Sequence, residues 1–339
     1  MTETQTLSLA EIEKLSFTAL VAAGTNEENA RPLAVATAAT EADGVASHGL
    51  AYIPIYCEHV QCGKVDGQAV PTLETPRPGL VRVDAATGFA HAAIDLGFEA
   101  LIPAAREQGI AALAITNSYN CGVLGYHTYR LAQAGLVGLG FTNAPASIAP
   151  SGGSKPVVGT NPFSVAVPGP DGQPALLIDQ SASTIAKSEV MKHAREGKAI
   201  PVGWALDPDG NPTTDPNVGL KGSMAPSGGY KGVGIALLTE IMAAALTGST
   251  LGLHASPFSG TVGGPPKTGQ FFIAIDHAVS SNGLFSNAIS DLVASIRNQD
   301  GAHLPGDGRR ACRLAAGQKG VAVNSATLAR IDAIIQENS

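Results

Sequence analysis

Helix punctuation gathers at the two ends of this chain and gives way to short apolar runs between them, and that distribution restricts the fold more than any other feature. Ser8 and Glu11 have the S/T-x-x-E spacing of a capping box, and Gly24 closes the helix they open. Thr25 and Glu28 repeat the spacing, which predicts a second helix running to about Ala42 and stopping at Asp43-Gly44. Residues 50–62 read as a third, with Pro54 in the first turn and Gly63 at its end. At the far end, Asn324 or Ser325 caps a last helix. In the centre, residues 81–84, 110–116, 136–142, 163–167, 175–178 and 270–275 are strand-like by length and flanking residues. Helical stretches at 90–108 (closed by Gly109), 125–134, 184–196 and 232–246 alternate with them. Helices at both ends around a mixed α/β centre are the expected architecture.

Length and charge limit what such a fold does. At 339 residues there is ample core for one large domain or two to three small ones. Charged residues make up only 14%, against about a quarter in an average protein, so part of the surface is expected to be covered in an oligomer. A net charge of −7 with no basic cluster argues against nucleic-acid binding. The first residues have no basic n-region, and the apolar runs are too short for a membrane span. Cys57, Cys62, Cys121 and Cys312 fit no zinc spacing and suggest a reducing compartment.

Five segments have residue types suited to chemistry. In Glu41-Ala-Asp-Gly-Val-Ala-Ser-His-Gly49, a serine and a histidine sit on a glycine-flanked bend between two predicted helices. Ser47 is expected to cap the second helix, placing His48 at its N-terminus, where outward N–H groups disfavour an imidazolium. A capped helix with a surface histidine is the plain alternative. Gly159-Thr160-Asn161-Pro162 is a turn between apolar segments that offers donors to a carboxylate or amide. Asp179-Gln180-Ser181 ends a strand before a helix carrying Glu189, which either orients Ser47 or His48 or is merely solvated. Gly228-Gly229-Tyr230-Lys231-Gly232 opens an apolar helix and is either an anion cradle or a tight turn. His303-Leu304-Pro305-Gly306-Asp307-Gly308-Arg309-Arg310 puts two arginines on a loop. No strand-to-helix turn has G-x-G-x-x-G, since Gly138-Leu139-Gly140 lies inside a strand; a Rossmann site is therefore not supported.

Taken in order, Asp43-Gly44…Ser47-His48-Gly49, Gly159-Thr160-Asn161-Pro162, Gly228-Gly229-Tyr230-Lys231-Gly232 and Leu304-Pro305-Gly306-Asp307 resemble the malate/L-lactate dehydrogenase-like oxidoreductases, over nearly the whole chain. That family is distinct from the Rossmann-type lactate and malate dehydrogenases. The resemblance implies a mixed-sheet NAD(P)-binding central α/β domain without the Rossmann fingerprint, at 116–309. A helical, substrate-side domain would flank it, built from 1–115 together with 310–339. It further implies a cytoplasmic homodimer and hydride transfer to C2 of a 2-oxo acid or a cyclic ketimine acid. By motif match, His48 resembles the proton donor, Ser47 and Glu189 its relay partners, and Thr160 a substrate contact. Cofactor contacts would fall on Tyr119, Asn120, Cys121, Gly122 and Val123, on Asp179, Gln180 and Ser181, on Tyr230 and Lys231, and on His303 to Arg309. No metal is implied.

Four positions depart from the family pattern. Many members have an arginine four residues after the histidine, where this chain has Tyr52, a neutral substrate-binding donor at most. Histidine-phenylalanine is replaced by Asn120-Cys121, and the relay acid, often aspartate, is Glu189. Within the family the pattern looks most like the reductases of Δ1-pyrroline-2-carboxylate and Δ1-piperideine-2-carboxylate. A protonated ketimine is already electrophilic, so losing a cation from the pocket suits it better than a ketone. A 2-hydroxy-acid dehydrogenase (malate, lactate, sulfolactate or ureidoglycolate type) and a cofactor-binding protein without turnover are the competing expectations. NADPH is favoured over NADH because Arg309, Arg310 or Lys187 would suit a 2′-phosphate.

Overall fold

The computed structural model describes residues 3–338. Strand β1 (Thr4–Leu7) leads into helix α1 (Leu9–Ala22), where Ser8 and Glu11 form both halves of the expected capping box. Helix α2 (Glu27–Ala42) is capped one residue later than expected: the Asn26 side chain accepts from the Asn29 N–H, and the Thr25 hydroxyl is buried without a partner among the described residues. Asparagine at this position supplies the carbonyl acceptor that the orphan amide needs, so no capping box forms. The stop at Asp43-Gly44 forms as expected, with Gly44 at φ +75°.

Helix α3 (Ile53–Gln61) follows two short 3₁₀ turns, Ala46–His48 and Leu50–Tyr52. Strands β2 (Thr72–Arg77) and β3 (Leu80–Asp84) precede helix α4 (Ala90–Gln108), which ends on left-handed Gly109 as expected. Next come β4 (Ile110–Ser118), α5 (Leu124–Gln133), β5 (Val137–Thr142), β6 (Phe163–Pro168) and β7 (Pro174–Gln180). A lobe follows, built from α6 (Lys187–Glu196), β8 (Ala205–Leu206), β9 (Pro212–Thr213), α7 (Pro216–Lys221) and β10 (Ser223–Met224). Helix α8 (Tyr230–Glu240) continues as a π turn to Ala245. The chain closes with β11 (Thr268–Ile275), α9 (His277–Ser281), α10 (Phe285–Arg297), α11 (Asp307–Lys319), β12 (Val321–Asn324) and α12 (Ser325–Glu337).

Seven strands form one mixed sheet in the order β2-β3-β4-β11-β5-β6-β7. Only β3 and β4 pair in parallel, joined by the α4 crossover; every other pairing in that sheet is antiparallel. Helix α4 covers one face through Ile94, Phe98 and Leu101, while Met242 and Ala243 of the π turn pack on the other against Phe141 and Phe271. Pairing of β1 with β12 ties the two ends together, and Leu328 and Ile331 of α12 join Ile12, Leu20 and Ile53 in one core. The division expected between residues 115 and 116 falls within β4, which pairs with β3 on one side and β11 on the other. No helix among the described residues is long and apolar enough to cross a membrane.

Candidate active site

Ser47 and His48 lie on the first 3₁₀ turn, and Ser47 caps no helix; α3 begins only at Ile53, after Tyr52. His48 is therefore not at a helix mouth, correcting the expectation. The Ser47 hydroxyl lies 2.9 Å from His48 Nδ1, which leaves Nε2 as the nitrogen free to hold or release a proton. The imidazole is half-buried, and burial, more than any dipole, pushes its pKa below the usual 6.5; Asp179 raises it and Arg309 lowers it further. The Tyr52 ring lies parallel to it, centroids 6.1 Å apart.

Behind the turn, the buried Glu41 carboxylate accepts the Leu50 N–H at 2.7 Å. A Cβ on Gly49 would lie 2.2 Å from that same oxygen, so glycine is required for the bend to sit on the carboxylate. At the end of α2, both the Nε and Nη2 of Arg313 donate to Asp43 Oδ1, at 2.8 and 2.6 Å. That ion pair docks α11 beside the histidine turn. It carries with it Arg309, whose guanidinium lies 2.8 Å from the largely buried Asp179 carboxylate. Gly125, at the start of α5, makes room for this pair: a Cβ there would lie 2.6 Å from Asp179 and 2.7 Å from Arg309 Nη1. Segments 119–125, 177–181 and 303–309 thus converge, and the Leu177 N–H donates to the Pro305 carbonyl at 3.0 Å.

A second set of backbone bonds joins the remaining pieces. The Ala182 N–H donates to the Thr160 carbonyl at 2.8 Å, and the Ser227 N–H donates to the Ala182 carbonyl at 2.8 Å. Thr160, the end of β7 and the glycine turn before Tyr230 and Lys231 therefore share one framework. Arg309 Nη1 is buried without a hydrogen-bond partner among the described residues, and the backbone of Gly125 lies against it. An orphaned guanidinium donor beside a glycine backbone fits an anionic nucleotide cofactor.

The profile of the malate/L-lactate dehydrogenase family matches residues 7–332. This chain belongs to that family. It is 40% identical to a Δ1-pyrroline-2-carboxylate reductase of Ancylobacter novellus, with 98% of each chain covered. It is 42% identical to a (2R)-3-sulfolactate dehydrogenase (NADP+) of Chromohalobacter salexigens, covering 92% of this chain and 93% of the other. Among solved structures, the Δ1-piperideine-2-carboxylate reductase of Pseudomonas syringae pv. tomato is similar at a TM-score of 0.91 and 35% identity, covering 98% of this chain and all of the other. As a member of this family, the chain is an NAD(P)-dependent oxidoreductase.

Several residues of the family pattern sit differently from their sequence expectation. Glu189 lies in the first turn of α6, 3.9 Å from Lys192, and no hydrogen bond joins it to Ser47 or His48 among the described residues; the carboxylate that acts on His48 is Asp179. Tyr52 is not a free donor, because its hydroxyl donates to the Phe258 carbonyl at 3.4 Å. The Asn161 amide is engaged internally, donating to Glu240 at 2.6 Å and to the Ala236 carbonyl, while the Thr160 hydroxyl makes no hydrogen bond among the described residues.

Tyr119 is buried with its hydroxyl on His59, and Asn120 accepts from Tyr56 and from the Gly122 N–H. Burial pushes the Cys121 thiol up to about 12, so it is inert. Val123 is the N-terminal flanking residue of α5. Ser181 bonds to Ser183, and Gln180 is exposed. Tyr230 and Lys231 are exposed at the start of α8. Leu304 is buried, Asp307 accepts the Leu304 N–H and faces Arg297, and Gly306 packs against Leu177, so this stretch is built around its own turn; His303 and Gly308 are exposed. Arg310 pairs with Asp171 at 2.6 Å. Sequence reasoning missed Glu41, Asp43 as an anchor for Arg313, and the loop around Phe258. The first two lay inside the motif that was read, but their side chains were not assigned partners.

Proposed function

We propose that this enzyme reduces a cyclic ketimine acid, Δ1-pyrroline-2-carboxylate or Δ1-piperideine-2-carboxylate, using NADPH. The observation that carries this reading is the wall beside His48. Tyr52 presents an aromatic ring where a carboxylate-clamping cation would otherwise stand, backed by the buried Tyr56 ring and by Phe258, and the Tyr52 hydroxyl is already given to a backbone carbonyl. Aromatic faces attract a protonated ring nitrogen and offer nothing to a second anionic group such as a sulfonate. When bound, a reduced nicotinamide supplies the hydride.

His48, held through Nδ1 by Ser47, governs the proton at the substrate nitrogen through Nε2. Burial is the main force weakening its hold on that proton; against that background Asp179 favours the imidazolium and Arg309 opposes it. Thr160, with its free hydroxyl, binds the substrate carboxylate. Glu189 keeps a relay role only if α6 moves toward His48 when ligands bind. The cofactor rests along residues 119–123, 179–181, 230–231 and 303–309, with Lys187 taking the 2′-phosphate, since Arg309 and Arg310 already face carboxylates.

The assay is NADPH oxidation with both cyclic imines, pyruvate, oxaloacetate and sulfopyruvate. Higher kcat/KM on any of the oxo acids would overturn the reading. The sulfolactate type is the second reading, favoured by the 42% identity to the Chromohalobacter enzyme. His48→Ala should abolish reduction under either reading while NADPH still binds, which excludes a binding protein without turnover. We also propose a cytoplasmic homodimer. Leu237, Leu238, Ile241 and Leu246 form an exposed apolar strip along α8 and its π turn, suited to a second copy, and the four cysteines are free. Sedimentation at micromolar concentration tests it, and a monomer would refute it.

A further inference from the structure

Lys64 follows left-handed Gly63 (φ +77°) just after α3, and its side chain is fully buried. No carboxylate lies within ion-pair reach of its ammonium among the described residues. Its Nζ donates instead to the carbonyls of Pro257 at 2.6 Å, Gly260 at 2.9 Å and Val262 at 3.1 Å. An ammonium has three donors, and one loop takes all of them. A buried cation is tolerated only where polar groups replace its lost water. Those carbonyls therefore serve as its solvation shell, and the ammonium serves as the centre of a loop that has no helix or strand of its own between 256 and 267.

His59 holds the same loop from the side. Its Nε2 donates to the Gly260 carbonyl at 3.0 Å, and its Nδ1 accepts from the Tyr119 hydroxyl. Between the anchor points, Phe258 packs on the Tyr119 ring with centroids 5.6 Å apart, and its carbonyl receives the Tyr52 hydroxyl. The Tyr52 ring is the one that lies parallel to His48. A cation at the end of α3 thus reaches the reaction site through a loop almost two hundred residues away in sequence.

We infer that Lys64 is a positioning residue for substrate selection: it gathers residues 257–262 into a wall that fixes Tyr52 beside His48 and receives the ring or side chain borne by the substrate's reacting carbon. The inference rests on His48 marking the reaction site, and not on which substrate is reduced. Lys64→Met in the full chain keeps the stem and removes the ammonium. Limited proteolysis within 257–262 should accelerate about tenfold or more. KM for the best substrate should rise about tenfold, with the NADPH dissociation constant changed by less than about twofold. Unchanged proteolysis overturns the inference whatever the substrate proves to be, and so does a fall in kcat at constant KM or a parallel loss of NADPH binding. If Lys64→Met fails to fold by near-UV circular dichroism, Phe258→Ala leaves the ammonium and its carbonyls in place. It should raise KM by a similar factor, and an unchanged KM overturns the inference. Preference for an oxo acid in the wild type would refute the ketimine reading alone.

Discussion

Adding one methyl group at Gly49 tests the architecture of the histidine turn. In Gly49→Ala the new Cβ would lie 2.2 Å from Glu41 Oε1, 2.5 Å from its Cδ and 2.8 Å from its Cγ, all inside van der Waals contact. Glu41 is only 7% exposed, so its carboxylate has little room to withdraw. If it does withdraw, the Leu50 N–H loses a charged acceptor, a loss of about 1.5–3 kcal/mol, and overpacking adds about 1–3 kcal/mol. Stability should therefore fall by roughly 2.5–6 kcal/mol in urea denaturation. If the backbone yields instead, His48 moves with it, and a shift of about 1 Å lowers kcat/KM by about a hundredfold. Glu41→Ala opens the space, so Gly49→Ala in that background should cost at least about 1 kcal/mol less than in wild type. A Gly49→Ala protein with stability within about 0.5 kcal/mol of wild type and unaltered kcat/KM would refute the reasoning, as would strict additivity in the double variant.

Three further outcomes follow from the charges around the site. Because burial lowers the His48 pKa below 6.5, its acid form disappears as pH rises through a window below that value; kcat/KM for reduction should show that limb, and an anionic substrate should move the limb of kcat to higher pH. A kcat/KM limb above 6.5 would contradict this. Arg309→Leu leaves Asp179, with its side chain 10% exposed, without its cation; discounted for the partial exposure of Arg309, the loss should be about 2–4 kcal/mol, with NADPH affinity falling and the His48 pKa rising in an NMR titration. A fall in the His48 pKa would contradict the assigned Coulomb signs. Burial pushes His91 down to about 3, so the folded state binds fewer protons than the unfolded between that value and 6.5, and stability falls as pH drops through the window by about 1.4 kcal/mol per unit. The gap between urea midpoints at pH 7 and 5 should narrow in His91→Gln, with the neighbouring buried His127, also pushed well below its usual value by burial, keeping the rest; an unchanged gap would exclude His91 as a source.

The legible parts of the fold were those whose partners lie a few residues away. The Ser8–Glu11 box closes over three residues, and α4 ends at Gly109 because only that conformation satisfies its last carbonyls without a Cβ penalty. The same local logic failed where two neighbours competed, since Asn26 took the cap assigned to Thr25. It failed again at Ser47, where a carboxylate from the preceding helix, not a helix cap, shapes the chain. Tyr52 was recognised as the unusual position, but its hydroxyl is answered by Phe258, 206 residues later, which no spacing rule reaches.

By itself, the sequence determined the helical ends, the apolar runs of the sheet and the missing Rossmann turn, and it singled out the serine–histidine pair as the candidate for the chemistry. Periodicity, caps and glycine stops act over one or two turns of chain and are written in order. The tertiary structure decided which charges meet. Strand β11 inserts between β4 and β5, and α11 swings back onto α2, bringing Arg313 to Asp43 across 270 residues and Arg309 to Asp179. The proton affinity of His48 depends on those encounters and on its burial, because electrostatic energy and desolvation follow distance in space and not distance along the chain.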